Sequence, residues 1–326
     1  MNEDNDKRTG RSDPQPVTDG WARETLEKLA FAALTEERRS RRWRIAFRLA
    51  FLIVILAVIV SFEAGRVRAT GPAGHFTALV RLTGTIRANG PASARAVDTA
   101  LRAAFKAHPA GVILDADSPG GSPVQASDIN AAIWRLRRRY PRIPIDTVVQ
   151  DLCASGCYYV AVASDRIYAN PASLVGSIGV LMDGFGYTGL MRKIGVTRRL
   201  LIAGRNKDFL DPFSPLTPAH RAFAETLLRQ IHAQFIAAVR KGRGARLKPS
   251  PGLFSGLIWT GQGARALGLI DGFGTVGTVA RHVFKAPHVV DFSPHRGLVA
   301  RFADHFGATM SQAFAERFLA PMPRLQ

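Results

Sequence analysis

The chain has 326 residues, 47% of them hydrophobic and 21% charged, which is enough apolar material for one large domain with appendages and excludes a wholly disordered chain. Its two cysteines, Cys153 and Cys157, exclude a disulfide framework and a four-cysteine metal site. The net charge of +19 suits nucleic acid, yet no basic stripe interleaved with aromatics occurs, so nucleic acid is not an expected partner.

Residues 1–43 read as a polar cytoplasmic leader, with a helix expected from Trp21 to Glu37. The apolar run Leu49 to Phe62 follows, extendable to Ile45 if Arg48 snorkels to the headgroups. Eighteen residues at about 1.5 Å each span roughly 27 Å, enough to cross an inner membrane. A cleaved signal peptide would need a charged leader of unusual length, so residues 44–63 are expected to be an uncleaved, single-pass anchor. The run Arg38 to Arg44 precedes it, whereas only Arg66 and Arg68 follow closely. That asymmetry puts the N-terminus in the cytoplasm and the bulk of the chain outside it, in a periplasmic or other extracytoplasmic space. Beyond residue 63, 33 basic side chains face 15 acidic ones, which suits anionic membrane lipid. A general preference for Arg over Lys, 36 against 8, explains the excess equally well.

Residues 64–74 are a Gly- and Ala-rich linker, and a domain is expected over residues 75–290. Within it the strand FTALVRL leads to a helix carrying Val97, Leu101 and Phe105, then the strand GVILDAD. A helix with Ile129, Ile133 and Leu136 precedes the strand IDTVV, and a third, apolar helix begins near Tyr158. Short connections in this βα succession predict an α/β fold with a parallel or mixed sheet covered by helices. Further on, TRRLLIA reads as a strand, and Thr217 to Lys241 as a long helix with Phe223, Leu227, Ile231 and Phe235 on one stripe. Residues 291–326 read as an amphipathic C-terminal helix with apolar residues every four positions, from Leu298 to Phe318.

Three loops that follow strands hold the chemistry. DSPGGS, Asp117 to Ser122, is either a simple turn or a sheet edge that offers a backbone amide to a developing oxyanion. In QDLCASGCYYVA, residues 150–161, Ser155 sits between strand and helix, as an N-cap or as a nucleophile projecting into a cleft. Cys153 and Cys157 flank it; around a turn they could bridge in an oxidising compartment, and the expected state is a pair of small buried thiols. VGSIGV, Val175 to Val180, places the hydroxyl of Ser177 between two glycines.

A nucleophilic serine needs a base. No histidine lies between His108 and His220, the stretch that holds all three loops. A lysine can serve where burial or a cationic neighbour lowers its pKa, whereas Arg cannot. Of the lysines beyond the expected anchor, Lys193 reads as a helix-end residue, and Lys207 in IAGRNKDFLDPF sits in an apolar turn, either as a buried amine or as a solvated loop residue. A base there requires Asp208 to face away from Lys207.

SPGGS, ASGCYY, GSIGV and AGRNKDFLDPF, in this order, together with WTGQGARALGLIDGFG from Trp259 to Gly274, resemble the signal peptide peptidase A family of membrane-anchored Ser-Lys proteases, over roughly His75 to Gly277. The resemblance implies a Clp protease/crotonase-like fold, ring-like homo-oligomers, and a serine endopeptidase acting on cleaved signal peptides or other membrane-associated peptides, with no cofactor and no metal. It implies Ser155 as nucleophile, Lys207 as general base, Ser177 as the hydroxyl that binds the lysine, and Gly120 as an oxyanion amide, joined by the amide of Gly156. One position departs: the family usually has Gly where this chain has Cys157. Ser155 and Lys207 either meet within one chain or come from adjacent subunits. The rivals are a Clp-like Ser-His-Asp protease, a crotonase-type acyl-CoA enzyme, and an inactive scaffold of the same fold that binds membrane proteins.

Overall fold

The computed structural model describes residue 24, residues 43–58 and residues 75–293. Residues 43–58 are helical and exposed, but the expected anchor's end, residues 59–63, lies outside the described residues. No described helix is long and apolar enough to cross a membrane. Of the expected C-terminal helix only residues 291–293 are described, and they are not helical, since Asp291 ends a strand; the expected helix over residues 21–37 lies outside the described residues apart from residue 24.

The unit over residues 67–296 is a mixed α/β fold. Its first strands are β1 (Thr77–Thr83), β2 (Gly111–Ser118) and β3 (Ile145–Ala154), joined by helices α1 (Ala94–Lys106) and α2 (Pro123–Arg139). The 3.6-residue apolar periodicity reads out directly: Val97, Leu101 and Phe105 of α1 and Ile129 and Ile133 of α2 are fully buried. Each helix starts on a serine, Ser93 or Ser122, whose side chain accepts a backbone N–H of the first turn. β1 pairs with β2 and β2 with β3, all parallel. Alternate residues of these strands face opposite sides, and both sides are dry. Ala78, Val80, Val112 and Leu114 pack beneath the helices, while Leu79, Ile113 and Val148 meet Val279, Ala280 and Phe284 on the other face. This two-faced burial is why the strands read as continuous apolar runs.

β3 changes neighbours along its length. Asp146 to Val149 pair with β4 (Arg166–Ala169), whereas Leu152 to Ala154 pair with β5 (Leu174–Gly176). At the fork the chain leaves β3 through Ser155 into the short helix α3 (Gly156–Ala161). After α4 (Thr188–Lys193) and the long α5 (Pro218–Arg243), β6 (Ile258–Thr260) adds to β5 as the antiparallel edge, followed by α6 (Gly261–Ala266). β7 (Gly272–Phe273) pairs with β4, and β8 (Val289–Asp291) pairs with β1. The sheet therefore continues past residue 290, with Phe292 stacked on Phe76.

Two sequence expectations are corrected. TRRLLIA does not form a strand, and Leu201 within it is 96% exposed. A strand needs a partner to satisfy its ladder, and no described strand borders this segment. The stripe on α5 is buried only toward its C-terminus: Phe235 is in the core, Phe223 is exposed, and Leu227 and Ile231 are half-buried. Lys193 does end its helix, α4, as expected.

The end of α5 is tied down by charge. Arg243, its side chain only 1% exposed, grips both carboxylate oxygens of Asp271 at 2.6 and 3.1 Å and donates through Nε to the Gly268 carbonyl. Burial pushes Asp271 up, but the Arg243 hydrogen bonds and charge outweigh it and hold the carboxyl below the usual carboxylate range. A Cβ on Gly242 would come 1.9 Å from the Val162 carbonyl oxygen, so α5 touches the chain beyond α3 where only glycine fits. Arg243→Ala would leave the Asp271 carboxylate with only Arg246 and the Ile167 N–H as donors and is expected to lower unfolding free energy by about 3 kcal/mol in urea titrations, the low end for a broken buried pair.

Asp146 sits nearby without a guanidinium grip. Burial pushes its carboxyl up to about 7, and the neighbouring Asp165 adds to this, against Arg166. The folded state thus holds a proton that the unfolded chain releases near pH 3.8. Stability should fall as pH rises between these values, by up to roughly 1.4 kcal/mol per pH unit, and the penalty is complete above the folded value. Asp146→Asn cannot ionise and keeps an oxygen for the Arg166 N–H. Its melting temperature should match wild type near pH 4 and exceed it above pH 7.

Candidate active site

β2 ends in the DSPGGS loop, which turns back against the start of the molecule through a parallel bridge between Gly121 and Ile86. Ile86 donates to the Gly120 carbonyl at 2.8 Å, and Ser122 donates to the Ile86 carbonyl at 2.9 Å. Both glycines adopt positive φ, 95° and 143°. A Cβ on Gly120 would lie 2.6 Å from Gly156 N and 2.9 Å from the Ser155 side chain, and one on Gly121 would lie 2.3 Å from the Ile86 carbonyl oxygen. Only glycine lets this loop lie against the serine turn.

Ser155 has φ 53° and ψ −121°, a conformation that costs a non-glycine residue about 1–3 kcal/mol and persists only where its surroundings fix it. They do so through the backbone. Ser155 N donates to the Gly176 carbonyl at 2.9 Å, and its own carbonyl accepts from Tyr159 N. The hydroxyl takes no part: Ser155 occupies the N-cap position of α3 but makes no side-chain capping bond. The capping reading of this serine is therefore set aside, and Ser155 lines a cavity of about 830 Å³. Ser177 also adopts positive φ, 49°; its N–H donates to the Leu257 carbonyl, and it lines the same cavity. Of five non-glycine residues with positive φ among the described residues, two are these serines.

The two amides of the paired glycines are engaged differently. Gly120 N–H is spent on Ser118 Oγ at 3.1 Å, and that hydroxyl in turn donates to the Gly84 carbonyl. The next amide, of Gly121, meets no acceptor among the described residues and lines the cavity with Gly156. A methyl group on Gly156 would come 3.2 Å from Gly121 N. Gly156, as the first residue of α3, has no helical acceptor for its N–H. The doubled glycine of SPGGS was the visible signal for this site, but which of two adjacent amides is free depends on the Ser118 hydroxyl.

The cavity's floor is apolar, formed by Tyr159 and by Ile231 and Phe235 of α5, with Tyr159 and Phe235 rings 5.1 Å apart. Gln234 and Asp128 lie at its wall. His232 Nε2 sits 3.1 Å from the Ile178 carbonyl and so braces the loop that carries Ser177.

Lys207 is not at the cavity. It lies exposed in a turn, its N–H bonded to the Gly204 carbonyl, within a segment from residue 181 to residue 216 that shows Leu181, Phe185 and Leu201 to solvent. Asp208 Oδ1 lies 4.0 Å from His220 Nε2, and no ion pair joins Lys207 to Asp208 among the described residues. One chain thus brings together Ser155, Gly156 and Ser177, and leaves Lys207 apart.

Cys153 and Cys157 are joined, not free thiols as expected. The end of β3 and the first turn of α3 bring their Cα atoms to 5.1 Å, within bonding range, a proximity set by the reversal at Ser155.

A model of peptidase family S49 matches residues 137–289. A putative protease of Synechocystis sp. is 31% identical over 198 residues, 61% of this chain and 69% of its own length. A putative signal peptide peptidase of Enterococcus faecium is 32% identical over 164 residues, covering 50% of this chain and 47% of that protein. Two proteins named Na(+)/H(+) antiporter NhaA, from Brucella abortus and Brucella melitensis, are each 40% identical over 230 residues, 68% of this chain but 31% of theirs. The chain thus spans about a third of the length of these two relatives.

Because the Ser155 hydroxyl has no hydrogen-bond partner among the described residues, Ser155→Ala should leave thermal stability within about 0.5 kcal/mol of wild type. Thr217→Ala, which removes a side-chain cap on His220 N, should cost about 1 kcal/mol in the same measurement.

Proposed function

This chain belongs to peptidase family S49, the signal peptide peptidase A family that its ordered motifs resemble, and on that premise we propose that it is a membrane-bound serine endopeptidase with a Ser-Lys dyad. The observation that carries the proposal is the meeting, at one apolar cavity, of a strained serine with an unengaged hydroxyl and two unengaged backbone amides. In this reading Ser155 Oγ attacks a peptide carbonyl, and a neutral lysine amine takes its proton. The tetrahedral oxyanion receives hydrogen bonds from the amides of Gly156 and Gly121, which act before any reorganisation because the loops are already fixed. The lysine passes the proton to the leaving amine, and a water activated by the same lysine hydrolyses the acyl-enzyme.

Lys207 is that base, supplied by a neighbouring copy, with Ser177 orienting it. The reading is supported by the exposure of Lys207 and of the apolar side chains around it, which a second subunit would cover in a ring-like homo-oligomer. Residues 44–63 anchor the peptidase domain in the inner membrane with the domain outside the cytoplasm. The cavity's apolar floor suits apolar segments of cleaved signal peptides or other membrane-associated peptides, and the basic excess suits anionic lipid.

A fluorophosphonate should label wild type and not Ser155→Ala; an unlabelled wild type would favour the inactive scaffold. Lys207→Arg should be as inactive as Lys207→Ala, because a guanidinium cannot accept the proton. Mixing inactive Ser155→Ala with inactive Lys207→Ala protein should restore activity, and no recovery in demonstrably mixed oligomers would place both groups of the dyad in one chain.

A further inference from the structure

The Cys153–Cys157 bridge spans the serine turn symmetrically, from two residues before Ser155 to two residues after it. Its two anchors differ in how firmly the fold holds them. Cys153 is inside the sheet, paired with Ser118 of β2 on one side and Val175 of β5 on the other. Cys157 is in the first turn of α3, a helix of six residues that is too short to hold its own geometry. Between them lie only Ala154, Ser155 and Gly156, and the middle residue sits at φ 53°. Gly156 supplies one oxyanion amide, and the Gly121 amide lies against it. Any swing of α3 about the end of β3 would turn the Gly156 amide relative to the Ser155 hydroxyl and to the Gly121 amide.

We infer that the bridge is a positioning device for the nucleophile: it fixes the first turn of α3 to the strand end, so that Ser155 Oγ and the Gly156 N–H keep one relative orientation. This rests on the reading of Ser155 as nucleophile. It adds that the enzyme is fully active only where the bridge can form, so that a dithiol lowers turnover. In that step a dithiol thiolate attacks one cysteine sulfur and the S–S bond breaks. The released cysteine thiolate takes up a proton, and the second reductant thiol displaces the remaining cysteine. Two cysteine thiols and one oxidised reductant result, a two-electron exchange. Both sulfurs belong to fully buried residues, so a reductant reaches them only when the turn opens.

The test uses the full chain in detergent and a fluorophosphonate probe, comparing wild type with Cys153→Ala/Cys157→Ala. The maximal labelling rate of the variant should fall roughly 10- to 100-fold, as for a displaced nucleophile, while the probe concentration giving half that rate changes by less than about twofold. Wild type produced and kept in dithiothreitol should show two alkylatable thiols and the same loss, reversed on reoxidation, whereas dithiothreitol should not change the variant. A variant or a reduced wild type that labels at the full rate overturns the inference, even if its melting temperature falls, because the bridge would then serve stability alone. Two alkylatable thiols in protein taken from an oxidising compartment overturn it as well. If the variant does not fold, the reduced wild type decides. A wild type that is never labelled sinks the nucleophile assignment itself, and this inference with it, whereas labelling that survives loss of the bridge sinks only the positioning role.

Discussion

The carboxylate of Asp271 is the point on which the geometry of the domain converges. It accepts from Arg243 at the end of α5, from Arg246 one turn later, and from Ile167 N in β4. The Asp271 backbone N–H also donates to the Ile167 carbonyl. A charge this buried would be costly alone, and it is tolerated because its oxygens are met by charged donors in bidentate geometry. The consequence reaches the site. With its C-terminal end held at Asp271, α5 runs past the cavity so that Phe235 and Ile231 form the floor and His232 meets the Ile178 carbonyl. Tyr158, one residue past the bridged Cys157, reinforces the same junction through its hydroxyl on the Leu269 carbonyl.

A second constraint is the fork in β3. Because its two halves pair with different strands, the chain at its end has one exit, through a reversal at a residue with positive φ. Serine is a poor residue for that conformation and glycine a good one, so Ser155 and Ser177, both at positive φ, hold strain that their surroundings must fix. The cost is carried by the surrounding dry core, in which Cys153, Cys157, Tyr158 and Ile178 are all fully buried.

The segment from residue 181 to residue 216 follows a different logic. It has loop conformation apart from α4, an ion pair between Arg198 and Asp211, and aromatic contacts such as Tyr187 on Phe213. Many of its large apolar side chains, among them Leu181, Phe185, Ile194 and Leu201, stay exposed. Exposed apolar surface of this extent marks an interaction site more often than a finished surface.

The sequence by itself determined what depends on local periodicity and composition: the βα succession, the buried stripes Val97-Leu101-Phe105 and Ile129-Ile133, and the loops that carry the two serines and the paired glycines. Each follows from side-chain spacing along one element, which a single sequence displays. Tertiary structure decided what depends on which groups meet across elements. The Ser118 hydroxyl takes the amide of Gly120 and leaves that of Gly121 free, the reversal at Ser155 brings two cysteines into bonding range, and TRRLLIA, strand-like in composition, finds no strand to pair with among the described residues. Arg243 reads as an ordinary cation near a helix end, yet it becomes nearly the most enclosed charge in the fold because Asp271 waits opposite it. Hydrogen-bond donors choose among acceptors by approach in space, and that choice has no period in the sequence to betray it.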